Sequence, residues 1–205
     1  MVKDNDANYF LFSNNHSSRE WSSPPYDFND ITNSEYWPNF KNNENAIDYR
    51  VVANIEKIHQ GDVAFFWSVQ NFSITTLGII LESPYSPELL DWLDENADLD
   101  EDETSKKYLN DFPEHYKFEY FVELGLFQLG EENWIDGKNL QKLDAWKGKK
   151  PFAKNKDGSI NQQFATPKLL NKDEINSLRK KLTSEGLNFI SIENISKLTF
   201  FWNRF

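Results

Sequence analysis

The chain has no cysteine among its 205 residues. That excludes disulfides, thiolate zinc sites and cysteine nucleophiles. Histidine is scarce: His16, His59 and His115 are the only three. None is paired at helical spacing or set in a metal-ligand motif, so each reads as a surface residue. No phosphate loop, dinucleotide fingerprint or nucleophile elbow occurs. The segment Asp94-x-Asn96-x-Asp98-x-Asp100 begins like a calcium loop. Leu99 then stands where the turn needs Gly, and Ser105 where the loop needs its closing Glu. Catalysis, metal and cofactor therefore have no support, and the expectation is a protein that is not an enzyme. No apolar run approaches the roughly 20 residues that span a bilayer. The polar start, Met1-Val2-Lys3-Asp4, lacks the apolar segment of a signal peptide. A cytoplasmic protein with no membrane partner is expected.

Aromatic residues are what the chain has in excess, with 17 Phe, 8 Tyr and 7 Trp. The Phe can fill a core, but so many Trp point to a pocket or an interface as well. The net charge is -11, which opposes binding to a phosphate backbone. The charge is uneven, however. Residues 94–103 read DENADLDEDE, seven carboxylates in ten positions. Residues 138–156 hold seven lysines, at 138, 142, 147, 149, 150, 154 and 156, with Asp144 the acid among them. One stretch repels nucleic acid and the other can hold it. Two solvated surface segments are the plainer alternative.

Residues 8–13 read as a buried strand, and 21–43, rich in Ser, Pro, Asn and Asp, as loop. In 46–58 the apolar residues Ala46, Ile47, Val51, Ile55 and Ile58 fall near helical spacing. Residues 63–69, VAFFWSV, are too apolar to face water and predict a central strand. Residues 75–81 predict its hairpin partner, with Gly78 marking a bulge or close approach. A short helix is expected over 88–93, followed by an acidic loop insertion around 94–105. Residues 117–129 read as one long or two short strands around Gly125, and 139–146 as a short helix. Asn171 and Glu174 fit a capping box for a helix over 172–184, ended by Gly186. A last strand over 187–192 and an apolar tail over 198–202 form a C-terminal extension from about 186. The sum is a single α+β domain over 1–205, a curved, mainly antiparallel β-sheet or barrel flanked by helices.

Reading a methylated base requires taking it out of the stack and holding it. Aromatic walls hold the ring, and amide or hydroxyl groups read its edge. Trp21 with Asn14, Asn15 and Ser22 can form such a set, with Ser13 at the strand end beside them. Trp37, Trp67 with Ser68, and Trp92 are further candidate walls. Trp92 also stands at helical spacing from Leu89, where packing of a local helix is the plain alternative. Trp134, Trp146 and Trp202 read as structural. Lys147, Lys149, Lys150, Lys154 and Lys156 are the candidate contacts to the nucleic-acid backbone.

The stretch YFLFSNN, followed shortly by Trp21-Ser22, resembles the opening of YTH domains, readers of N6-methyladenine. The stretch IEKIHQGDVAFFWSV with LGIILES resembles the related EVE domains of the PUA-like superfamily. Asp62, Phe66, Trp67, Ser68, Gly78 and Ile79 carry that match. Trp92 lies in the loop where YTH domains hold another cage Trp, and PFAKNKDGSI resembles a YTH segment near the substrate groove. The resemblance implies a PUA-like (EVE/YTH) fold that flips a modified base into an aromatic cage. Prokaryotic domains of this kind often serve McrBC-type restriction systems. By resemblance, DNA carrying a modified base such as methyladenine or methylcytosine is the expected partner, with a motor or nuclease subunit alongside in a defence system. Modified RNA is the second reading, and an acidic protein–protein interaction module, docked through the tail 198–205, is the third.

Overall fold

The computed structural model describes residues 7–14, 26–27, 46–51, 55–113, 116–160, 162, 167–182, 187 and 190. Its strands are β1 (Tyr9–Asn14), β2 (Tyr26–Asp27), β3 (Ala46–Val51), β4 (Val63–Ser68), β5 (Ser73–Ile80), β6 (Tyr120–Gln128), β7 (Ile135–Asp136) and β8 (Lys168–Leu169). Its α-helices are α1 (Pro87–Glu95), α2 (Glu101–Asp111), α3 (Gly137–Leu140) and α4 (Lys172–Arg179). The fold is α+β on a curled, mixed sheet.

The main path through the sheet runs β2-β6-β5-β4-β1-β8. Two pairs, β1 with β4 and β2 with β6, are parallel. The others, β1–β8, β3–β6, β4–β5, β5–β6 and β5–β7, are antiparallel. β4 and β5 lie in the middle, and every residue of both is buried. That explains the unbroken apolar run over VAFFWS: a strand covered on both faces has no polar side to show.

Alternation sorts the sheet's side chains into two cores. Tyr9, Leu11, Val63, Phe65 and Trp67 face Leu140, Trp146, Phe152, Leu178 and Leu182, which come from the helices and the loops near them. Phe10, Phe12, Ala64 and Phe66 face the other way, onto Ile58, Ile80, Val122 and Leu124. Each large apolar side chain removed from water contributes about 1.5–3 kcal/mol. A one-residue slip of β1 on β4 would exchange the two sets, so the register is firmly specified.

Several expectations change. Residues 46–51 form β3 rather than the start of a helix. Six consecutive pairings, Ala46 with Gly125 through Val51 with Tyr120, hold it against β6. A tertiary partner has overridden a loose helical spacing; beyond it, only one 3₁₀ turn, Ile55–Lys57, is helical among the described residues of 46–58. β6 passes through Gly125 as one strand. The irregularity in the β4–β5 pair falls between Phe66 and Trp67, while Gly78 pairs regularly with Ala64 and Leu126.

The acidic stretch is not a loop insertion: its second half opens α2. The Asp100 carboxylate caps α2 by accepting from the Glu103 amide at 2.9 Å. Glu101, Asp102 and Glu103 occupy its first turn, where the helix dipole favours negative charge. The capping box at Asn171 and Glu174 forms as expected, though α4 ends earlier, at Arg179. Leu187 is helical rather than extended. Gly186 and the tail 198–205 lie outside the described residues.

Candidate functional site

Parallel pairing brings two distant pieces of sequence to one end of the sheet. Ser13 of β1 stands opposite Trp67 of β4, and Asn14 opposite Ser68. The strand ends of YFLFSN and VAFFWS are therefore immediate neighbours. Ser13 and Ser68 are both buried. Ser68 closes the turn over 69–72, its Oγ accepting from the Asn71 amide at 3.2 Å. Asn71 prepares the same turn through its carbonyl, which accepts from Ser73 Oγ at 3.0 Å. Phe72 completes the turn with φ at 50°, a left-handed conformation costly for a bulky residue.

Trp67 is placed as packing rather than as an open wall. Its ring is fully buried. It meets Phe72 edge-on at 5.2 Å and 75°, and Phe152 edge-on at 5.4 Å and 86°. Gly137, at the start of α3, completes the enclosure, since a Cβ there would stand 2.3 Å from Trp67 Cη2. The indole N–H has no hydrogen-bond partner among the described residues. A buried donor left unpaired costs about 1–3 kcal/mol. The other residues matching the sequence resemblance are framework. The buried Asp62 accepts from the amides of Asn8 and His59, both at 2.8 Å, and so ties the starts of β1 and β4 together. Burial raises its carboxyl above the ordinary value, against the pull of those amides. Phe66 stacks on Phe12 at 5.2 Å.

The lysine-rich loop is seated beside this end. Phe152 reaches from the loop into the core, touching Trp67 and, at 6.2 Å, Trp146. Lys147, Lys149, Lys150, Lys154 and Lys156 are all exposed. Gly148 and Gly158, with φ at 69° and 84°, turn the chain on either side of Phe152.

Beneath the loop lies a charge cluster that the sequence did not signal directly. The buried Glu174 carboxylate accepts from Lys168 Nζ at 2.6 Å and has Lys149 Nζ at 3.6 Å. Its second oxygen accepts from the Asn171 amide at 3.0 Å, completing the capping box. Lys168 also donates to the Lys150 carbonyl at 3.0 Å and lies 4.7 Å from the Trp146 ring centre. Burial lowers its ammonium below the usual lysine range, opposed by Glu174. Trp146 donates to Ser177 Oγ at 2.7 Å, which donates to the Glu174 carbonyl at 2.6 Å. One buried carboxylate thus anchors the base of the basic loop. The nearest clue was the capping box itself: a buried Glu with one oxygen on the backbone leaves the other to find a cation.

Trp92 lies away from these strand ends. β5 runs antiparallel to β4, with Val63 opposite Ile79, so the chain leaves β5 at the far end of the sheet. β4 alone spans about 17 Å at 3.3–3.4 Å per residue, and α1 follows beyond that. Trp92 there packs against Tyr108 at 5.7 Å and Phe112 at 5.6 Å, and its indole donates to Asp111 Oδ2 at 2.8 Å. It joins α1 to α2 and is not part of a cage with Ser13 and Ser68. Asn15, Trp21, Ser22 and Trp37 lie outside the described residues.

Among the described residues, no group of His, Asp or Glu is arranged to hold a metal ion. No helix there is long and apolar enough to cross a membrane. Set against known proteins, the chain matches no family model and no curated sequence.

Proposed function

We propose that this protein is a non-enzymatic reader of a methylated nucleobase in DNA, built on a PUA-like fold of the EVE/YTH kind. One observation carries the reading. The parallel register of β1 and β4 joins Ser13 and Asn14 to Trp67 and Ser68, beside a loop of exposed lysines held by Phe152. In the proposal Asn14, at the end of β1, reads the base edge, the buried Ser13 and Ser68 shape the strand ends beside it, and the lysines supply charge for phosphates. Trp67 buttresses this end from within. Trp21 and Trp37 are the cage walls of the proposal, with Asn15 and Ser22 on its rim. The biological setting of the proposal is the specificity part of a modification-dependent restriction or defence system.

The test is an affinity series on duplexes carrying N6-methyladenine, 5-methylcytosine or neither, with the same sequences as single-stranded DNA and RNA. The expected result is tighter binding to one modified DNA, a preference that Trp21→Ala removes. Lys147→Ala, Lys154→Ala and Lys156→Ala together weaken binding to every duplex alike. They also reduce the salt slope by about 0.9 for each phosphate left without its lysine. Equal, weak binding to all substrates, unchanged by Trp21→Ala, would falsify the reading. Preference for modified RNA would retain the cage and replace the polymer.

A further inference from the structure

The α1–α2 hairpin has no task in the site proposed above, and its surface is unusual. It is built around its own aromatic cluster. Trp92, Tyr108 and Phe112 pack together, and Phe118 closes on Phe112 at 4.6 Å. Lys107 and the Trp92 indole both donate to Asp111 Oδ2, at 2.7 and 2.8 Å. Tyr116 donates to Glu88 and ties the following segment to α1. The hairpin is held from within, and its outward leucines lie outside both core clusters of the sheet.

Those leucines are prominent. Leu90 and Leu93 are 48% and 43% exposed, and Leu109 on α2 is 70% exposed. Leu90 and Leu93 stand three residues apart on α1, so they are neighbours on one helix face. The exposed carboxylates of Asp91, Asp94 and Glu95 flank them. From 88 to 111 the chain carries ten carboxylates and two lysines. An apolar pair rimmed by one sign of charge is complementary to a segment with apolar residues on one face and cations around them.

We infer that the α1–α2 hairpin is a docking surface for a basic, amphipathic segment of a partner protein. Nucleic acid is repelled by this surface, because carboxylates and not cations flank Leu90 and Leu93. A second copy of the chain docking through this same hairpin is disfavoured, because the two surfaces carry like charge. The hairpin stands beyond the opposite end of the sheet from Ser13, Ser68 and the lysine loop, so a partner docked here leaves that end open.

The probe is a fluorescent synthetic peptide of Leu and Lys with the leucines on one helical face. A scrambled peptide of the same composition is the control, and anisotropy on the full chain the readout. Leu90→Ser with Leu93→Ser keeps every charge and alters only exposed positions. Asp91→Asn with Asp94→Asn and Glu95→Gln keeps the leucines. The expected result is selective binding of the amphipathic peptide, weakened roughly tenfold or more by either set. Affinity for methylated and unmodified duplexes stays at the wild-type level, which separates this inference from the DNA reading. Absence of peptide binding, equal binding of the scrambled peptide, or indifference to the leucine changes would overturn it. A wild-type dimer that the leucine changes convert to monomer would overturn it in favour of a second copy.

Discussion

Replacing Gly137 by Ala sets two effects against each other. Gly137 opens α3 directly after the capping residue Asp136, whose carboxylate accepts from the Lys138 amide at 2.9 Å. On an open helix, Ala in place of Gly stabilises by up to about 1 kcal/mol. Here the added Cβ has no room. It would stand 2.3 Å from Trp67 Cη2, 2.5 Å from the Phe72 carbonyl oxygen and 2.8 Å from Phe72 Cδ1. Trp67 cannot retreat, because Phe72 and Phe152 enclose it. The Phe72 carbonyl is held by the Gly137 amide at 2.8 Å, in a turn already at positive φ. Overpacking of this kind costs about 1–3 kcal/mol, and loosening the amide–carbonyl bond about 1 kcal/mol more. Sterics outweigh propensity, and the net expectation is a loss of about 2–3 kcal/mol. In urea the midpoint falls while the slope of the transition is unchanged. At about 2–4 °C per kcal/mol for a chain of this size, the thermal midpoint falls by roughly 4–12 °C. A Gly137→Ala protein as stable as the wild type, or more so, would refute the close approach of α3 to Trp67.

Two further predictions concern buried carboxylates. Glu174→Gln strands Lys168 and costs about 2–4 kcal/mol, near the low end for breaking a buried pair because Lys168 retains some exposure. Adding Lys168→Met removes the stranded cation, so the double variant is less destabilised than the sum of the two singles. Strict additivity in urea denaturation counts against the pair. At Asp62, burial raises the carboxyl above the 3.8 of an ordinary aspartate. Between that value and the raised one, the native state holds more protons than the unfolded chain. The stability of the wild type relative to Asp62→Asn therefore declines as pH rises through that window. Unfolding curves for both proteins from about pH 4 to pH 7 check the sign, and an increase in the relative stability of the wild type refutes it.

How much of the fold could be read from sequence depended on how local its cause was. The apolar run of β4 and the pattern Asn171…Glu174 carry their reasons within a few residues, and both elements start where expected. The helix expected over 46–58 rested on spacing alone. Ile47, Tyr49 and Val51 already alternate within it, a period-2 signal that became decisive once β6 supplied a partner. The acidic stretch looked too charged to order, yet Asp100 with Glu103 is a helix start in its own right. Trp67 was the hardest to read. An aromatic at the end of a strand can face a ligand or the core, and Phe152 and Gly137, both far along the chain, decide it. Lys168 escaped notice for the same reason, because its importance comes from Glu174 folding beneath it.

The sheet also separates charge in a way composition could not reveal. A net charge of -11 argues against nucleic acid when treated as one number. The topology divides it. β4 and β5 run antiparallel, so the turn at 69–72 and the chain leading into α1 lie at opposite ends. Phe152 draws the lysine loop to the turn end, while the carboxylates of α1 and α2 gather at the other. Screening makes this separation effective: at physiological salt a charge is felt over about 8 Å, roughly half the length of β4. A phosphate near Lys154 or Lys156 therefore meets the local lysines and the neighbouring Asp157, and not the distant acids of α1 and α2. The acidic total alone therefore does not decide against the proposed polyanion at one end, and the acids of α1 and α2 suit the proposed cationic partner at the other.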